Sequence, residues 1–215
     1  MKYFIEILLF IHCLLLPVVA NECQEAVKEY NRHMAVNLKN GYRLYATLKG
    51  NNNESEMDLI LKKNEKHISN INGLSCGLSL YNLGFVVADF QESFLFVQTF
   101  GSGNPQMIKL VNKKTAKTVI KFEGFIANYN IQNEFFIYRN NSSKSTNLFD
   151  IRNHKNYTLN IDDLIINTCH LRQVDDENEC LNSDEISDGY IDFFKITNSK
   201  IVLKIGQDYK IVYRK

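Results

Sequence analysis

Two stretches in the middle of this chain repeat each other without a gap, 40 residues apart. With Gly84 set on Gly124, Gly84-Phe85-Val86 matches Gly124-Phe125-Ile126, and Leu95-Phe96-Val97 matches Phe135-Phe136-Ile137. Ile108 falls on Leu148, Val111 on Ile151, and Thr118-Val119 on Thr158-Leu159. A weaker third copy begins at Gly189-Tyr190-Ile191 and runs through Ile201-Val202-Leu203. A period of this length, holding several short apolar runs, is the pattern of stacked or radial β-repeats. It constrains architecture and names no reaction.

Within the repeats, apolar runs alternate with turn residues at strand spacing. The first copy, 84–122, reads as strands 85–90, 94–100, 106–112 and 117–122. The second, 124–161, reads as 125–129, 134–139, 147–151 and 157–161. A degenerate unit occupies 41–80, with a hairpin of 42–47 and 57–62 around Gly50-Asn51-Asn52-Asn53. A break at Ser75-Cys76-Gly77 follows, and a C-terminal meander covers 189–213. The turn Asn112-Lys113-Lys114-Thr115-Ala116-Lys117 resembles the polar hairpin between outer strands of β-propeller blades, and four strands per copy suit a blade. That resemblance implies a mainly β fold of repeated antiparallel four-stranded units in a propeller-like arrangement. A β-sandwich of duplicated hairpins satisfies the same pattern.

The N-terminal 20 residues have the form of a secretory leader: Lys2, an apolar run from Phe4 to Leu16, Pro17, then Val18-Val19-Ala20 before Asn21. The run is shorter than the ~20 residues that span a bilayer, and no later stretch is apolar enough to span. The domain therefore reads as 21–215. Without Lys2 and Glu6, the 25 basic and 24 acidic side chains become 24 and 23. That balance gives no general attraction to nucleic acid or membrane. One helix is expected over 22–37, where Cys23, Ala26, Val27, Tyr30 and Met34 share a face. Asn21 and Gln24 form a capping pattern, and Asn40-Gly41 stops the helix.

After the leader, Cys23, Cys76, Cys169 and Cys180 remain. An even count in an exported chain implies two disulfides. Cys169 and Cys180 enclose a short acidic loop and pair most naturally, which leaves Cys23 for Cys76. No Cys or His spacing fits a metal site, and no cofactor is expected. Carboxylate pairs Asp89/Glu92 and Glu123/Glu134 lie near strands but read as solvated hairpin residues. Gly101-Ser102-Gly103-Asn104-Pro105 is glycine-rich without a following helix, so it is no phosphate cradle. Lys109, Lys113, Lys114, Lys117 and Lys121 read as an edge-protecting basic hairpin in which Lys113 is exposed. Sequons at Asn53, Asn140, Asn141 and Asn156 fall in expected turns.

The densest charge is acidic and lies in the loop 169–188: Asp175, Asp176, Glu177, Glu179, Asp184 and Glu185, with the segment from Asp162 to Glu185 read as irregular. A disulfide-braced acidic loop on a β scaffold points to an exported, non-enzymatic binding protein of inhibitor or immunity type. Its expected partner is another, basic protein rather than nucleic acid. A carbohydrate- or envelope-associated protein using exposed Tyr and Phe is the alternative, and an enzyme of unrecognised class is the third.

Overall fold

A computed structural model describes residues 22–49, 56–99, 106–173, 176–181 and 190–214. The leader 1–20, the tip 50–53, the loop 101–105 and the residues Asp175, Asp184 and Glu185 lie outside the described residues. The fold is mainly β. Its strands form antiparallel sheets of four, seven and three strands, each laid out in chain order. Every neighbour pair is sequential, so each sheet is a meander. No sheet closes on itself. The chain divides into two compact units, one of residues 1–98 and 110–119, the other of 99–109 and 120–215.

In the first unit, α1 (residues 22–33) is followed by β1 (Val36–Leu38), β2 (Tyr42–Leu48), β3 (Glu56–Lys63) and β4 (Lys66–Ser75). The helix is shorter than the expected 22–37. Residues 36–38 instead pair with β2, because Asn40 and Gly41 adopt the left-handed conformation (φ 63° and 75°) that reverses the chain. Asn31 fixes α1 to β2, its side chain bonding both the amide (2.8 Å) and the carbonyl (2.9 Å) of Ala46. The Cys23–Cys76 disulfide (Cα–Cα 5.1 Å) ties the same helix to the end of β4, as the cysteine count implied. A short helix, α2 (Leu80–Leu83), leads into β5 (Phe85–Asp89) and β6 (Ser93–Thr99), and β7 (Gln106–Asn112) is the next strand. Tyr30, Leu44, Leu59, Leu61, Phe94 and Phe96 centre a core that removes their apolar surface from water.

The two copies of the repeat are visible in backbone detail. Gly84 (φ 100°) and Gly124 (φ 154°) both open a hairpin where a Cβ would collide, with the Phe96 ring and with the Arg139 carbonyl oxygen. Both hairpins then carry a bulge at the same place, between Val86 and Ala88 and between Ile126 and Asn128. The second hairpin is two residues longer, since Asp89 opposes Phe94 while Tyr129 opposes Phe136. Phe96 is therefore the structural counterpart of Tyr138, and Phe136 that of Phe94. The expected fourth strand of the first copy and first strand of the second are one continuous strand, β8 (Thr118–Asn130). Discrete four-stranded blades are thus not seen.

In the second unit, β9 (Phe135–Asn140), β10 (Ser145–Asp150) and β11 (Lys155–Leu159) continue the meander. The next segment is helical, contrary to the irregular structure expected for 162–185. It forms α3 (Asp162–His170) and a single turn, α4 (Glu177–Cys180). Asp162 and Asp163 sit in the first turn of α3, where carboxylates favour the helix dipole, and Ile165, Thr168 and Cys169 are buried. Three strands, β12 (Ile191–Ile196), β13 (Lys200–Ile205) and β14 (Asp208–Tyr213), form the C-terminal meander. Ile191, Ile201, Leu203, Ile205 and Val212 join α3 over one face of β8–β11, against Phe135, Ile137 and Leu148. On β9 the alternate residues Phe136 and Tyr138 form an aromatic cluster with Phe149 and Phe122.

Candidate functional site

The corner between α3 and α4 gathers the sequence-derived site residues that are described. Cys169 at the end of α3 is bonded to Cys180 at the end of α4 (Cα–Cα 5.8 Å), and both are fully buried. The brace ties the exposed turn of residues 171–173 to α4, and the acidic side chains of Asp176, Glu177 and Glu179 are exposed. Backbone bonds from Cys180 to Asp176 (3.0 Å) and from Leu181 to Glu177 (3.1 Å) close the α4 turn, so these acids sit on a formed element. Leu171, in the turn after α3, is 77% exposed, and that turn is closed by backbone bonds from Arg172 to Cys169 (2.8 Å) and from Gln173 to His170 (3.0 Å).

The same corner walls a pocket of about 320 Å³. Thr168, Leu171 and Arg172 come from α3 and its exit, Tyr190 from the turn before β12, Asp192 and Lys204 from the sheet, and Gly206 and Gln207 from the β13–β14 turn. Arg172 is oriented by its guanidinium lying 4.4 Å over the Tyr190 ring. Thr168 donates to the Leu164 carbonyl (2.7 Å), which fixes its hydroxyl on the pocket wall. None of these residues was singled out as a site residue from the sequence. A second concavity of about 290 Å³ includes Lys144, Thr146, Thr158, Asp162 and Asp163. Its Asp162 is occupied structurally, receiving Arg139 (3.0 Å) and Thr146 (3.3 Å).

The carboxylate pairs do not make a catalytic arrangement. Asp89 lies 2.6 Å from the Lys113 ammonium and accepts the Lys39 amide at 2.8 Å, and Glu134 pairs with Arg152 at 3.1 Å. Lys113 is the clearest departure from the sequence reading. It is fully buried rather than part of an exposed basic edge, and its Nζ also donates to the carbonyls of Phe90 (2.6 Å) and Gln91 (3.2 Å). Lys109 is half-buried, and burial, with the nearby Lys121 charge second, lowers its pKa. His67 bonds Asn70 and His33 faces Glu29. Among the described residues no group of three His, Cys, Asp or Glu side chains could hold a metal ion. Of the sequons, Asn141 lies in the β9–β10 turn, whereas Asn140 ends β9 and Asn156 is within β11. The strand position of Asn156 differs from the expected turn.

A further exposed surface was missed by the sequence reading. On β12–β14, Phe194, Tyr209, Ile211 and Tyr213 are 60%, 53%, 45% and 65% exposed. Register pairs Asp192 with Lys204, Lys204 with Tyr209, Val202 with Ile211 and Lys200 with Tyr213. These residues share the face opposite the core-facing Ile201, Leu203 and Ile205. The available signal was the alternation in β14, which places three large side chains on the face where β13 carries Lys200 and Lys204.

No protein-family model, curated protein or solved structure matches the chain.

Proposed function

We propose that this is an exported, non-enzymatic binding protein of inhibitor or immunity type that engages a basic protein partner through the α3–α4 corner. The observation that carries this reading is the pinned turn itself. The Cys169–Cys180 bond ties the turn that carries exposed Leu171 to the segment that carries exposed Asp176, Glu177 and Glu179. A turn whose backbone is already held in place loses little freedom on binding. Exposed acids beside it speed encounter with a basic surface and select against acidic ones. Two disulfides accord with an oxidising compartment, and no described helix is long and apolar enough to cross a membrane.

The test is affinity capture from the source organism's secretions, with wild-type protein and an Asp176→Lys/Glu177→Lys/Glu179→Lys variant immobilised side by side. A basic protein retained by the first and lost by the second supports the reading. Equal retention, or nothing but acidic proteins, contradicts it. A carbohydrate- or envelope-associated role is the second reading, favoured by the exposed Phe194, Tyr209 and Tyr213 on β12–β14.

A further inference from the structure

We propose that the outer face of β12–β14, together with the pocket at its end, binds an anionic oligosaccharide. It would be a sugar chain bearing carboxylate or sulfate, with its acid group taken by Arg172 and Lys204 and its rings laid on Tyr209, Phe194 and Tyr213. This deepens the second functional reading and is independent of protein docking at α4.

Lys204 joins the two parts of the site. It lines the pocket, and on the sheet it stands between Asp192 and Tyr209 in register. Among the described residues no ion pair engages Lys204 or Arg172. Among the described residues Asp192 is the one acid that lines the pocket with these two cations, and Asp176, Glu177 and Glu179 are outside that lining. Lys195 and Lys200 extend the positive charge along the same sheet. Charge at this face therefore favours an anion.

The shape of that anion follows from what lies between the cations. Phe194 and Tyr209 meet edge to face across the middle strand (centroids 4.9 Å apart), and Tyr213 is held two residues along β14 from Ile211. The electron-rich ring faces attract the positive C–H faces of sugars. Lysine ammoniums, the Thr168 hydroxyl and the Gln207 amide supply partners for hydroxyls. The pocket volume of about 320 Å³ is that of a small polar ligand site. A protein partner would favour an interface centre depleted of charge, whereas here lysines stand between the rings. Nucleic acid also combines stacking with positive charge, but disulfides belong to compartments where it is rarely a partner.

The test is titration of the full mature protein, followed by calorimetry and amide NMR. The probes are a uronic-acid hexasaccharide, a sulfated hexasaccharide, a neutral hexasaccharide, a short single-stranded oligonucleotide and vesicles of anionic lipid. The expected result is that one or both acidic sugars bind, with shifts centred on Arg172, Lys204, Tyr209 and Tyr213. The neutral sugar should bind about tenfold more weakly, as loss of a charge-assisted bond implies. Lys204→Ala and Tyr209→Ala alter exposed side chains and should each weaken binding by about tenfold, while Lys117→Ala should leave it unchanged. Which acidic sugar binds separates carboxylate from sulfate recognition. Failure of both acidic sugars to bind overturns the proposal. So does binding unaffected by both variants in folded protein, or tighter binding of the oligonucleotide or vesicles at the same residues. None of these outcomes depends on the Asp176, Glu177 and Glu179 variant, so the two readings stand or fall separately.

Discussion

Replacing Lys113 by methionine removes a charge while keeping most of the volume of its stem. In the native protein that ammonium lies 2.6 Å from Asp89, 2.6 Å from the Phe90 carbonyl and 3.2 Å from the Gln91 carbonyl, with the lysine side chain only 1% exposed. The substitution leaves Asp89 without its cation and the Phe90 carbonyl without its Lys113 donor, while the Gln91 carbonyl keeps the Asn40 side-chain amide at 3.0 Å. Breaking a buried pair from one side costs about 3–5 kcal/mol. Asp89 is 21% exposed and keeps the Lys39 amide, so water and that bond recover part of the loss, and about 3 kcal/mol is expected. For a chain of this size that corresponds to a fall in Tm of about 6–12 °C. Urea unfolding followed by circular dichroism measures it, with the exposed neighbour Lys114→Met as control, expected within about 0.5 kcal/mol of wild type. Adding Asp89→Asn to Lys113→Met should cost less than the sum of the single changes, by about 1–3 kcal/mol. The reasoning is refuted if Lys113→Met is as harmless as Lys114→Met, or if the two single changes simply add.

Peptide mapping without reduction should recover Cys23 with Cys76 and Cys169 with Cys180. Replacing each pair by serines should cost about 4 kcal/mol for the 53-residue separation and about 3 for the 11-residue one on the loop-entropy model; a free thiol at any of the four positions would disprove the pairing. Phe96→Ala and Phe136→Ala each empty a fully buried ring site and should destabilise by about 3–5 kcal/mol in denaturant titrations, with a cost under 1 kcal/mol at either position counting against the packing described. Alkaline stability should depend on Tyr30, whose phenol is buried and donates to the Gly84 carbonyl at 2.5 Å. Burial raises its pKa, so the unfolded chain loses its proton first. Stability is then complete below about pH 10 and falls as pH rises beyond it. Tyr30→Phe should flatten that fall, and an unchanged alkaline limb would show that Tyr30 does not set it.

The repeat was legible because its signals are backbone requirements. Gly84 and Gly124 are glycines since a Cβ at either position would collide with the neighbouring strand, and alternation marked the flanking strands. The two-residue difference in hairpin length was invisible, because a shift of two keeps every side chain on the same face and preserves the apolar match. β4 escaped notice for the opposite reason. Its register against β3 skips Ile68 and Ile71, so its partly buried residues Ile68, Ile71 and Leu74 recur every three positions rather than every two. α3 is only nine residues long, and its polar composition hid the spacing of Ile161, Ile165 and Cys169. Lys113 could not be placed from sequence at all, since its burial depends on Asp89 and the carbonyls of Phe90 and Gln91, more than twenty residues away. The candidate site was half legible. Cysteine count and charge density located the braced acidic corner, while the aromatic face of β12–β14 needed the register that shows which side of the sheet faces the core.

The claim that the α3–α4 corner binds a basic protein is tested most directly by surface plasmon resonance on the captured partner. Wild type is compared with the Asp176→Lys/Glu177→Lys/Glu179→Lys variant over rising salt. The account predicts an affinity loss of about a hundredfold in a variant that melts like wild type, with slower association as the Debye length falls from about 10 Å at 0.1 M salt to about 3 Å at 1 M. Equal affinity and equal association rates in the folded variant would contradict it and reduce these acids to a solvated surface.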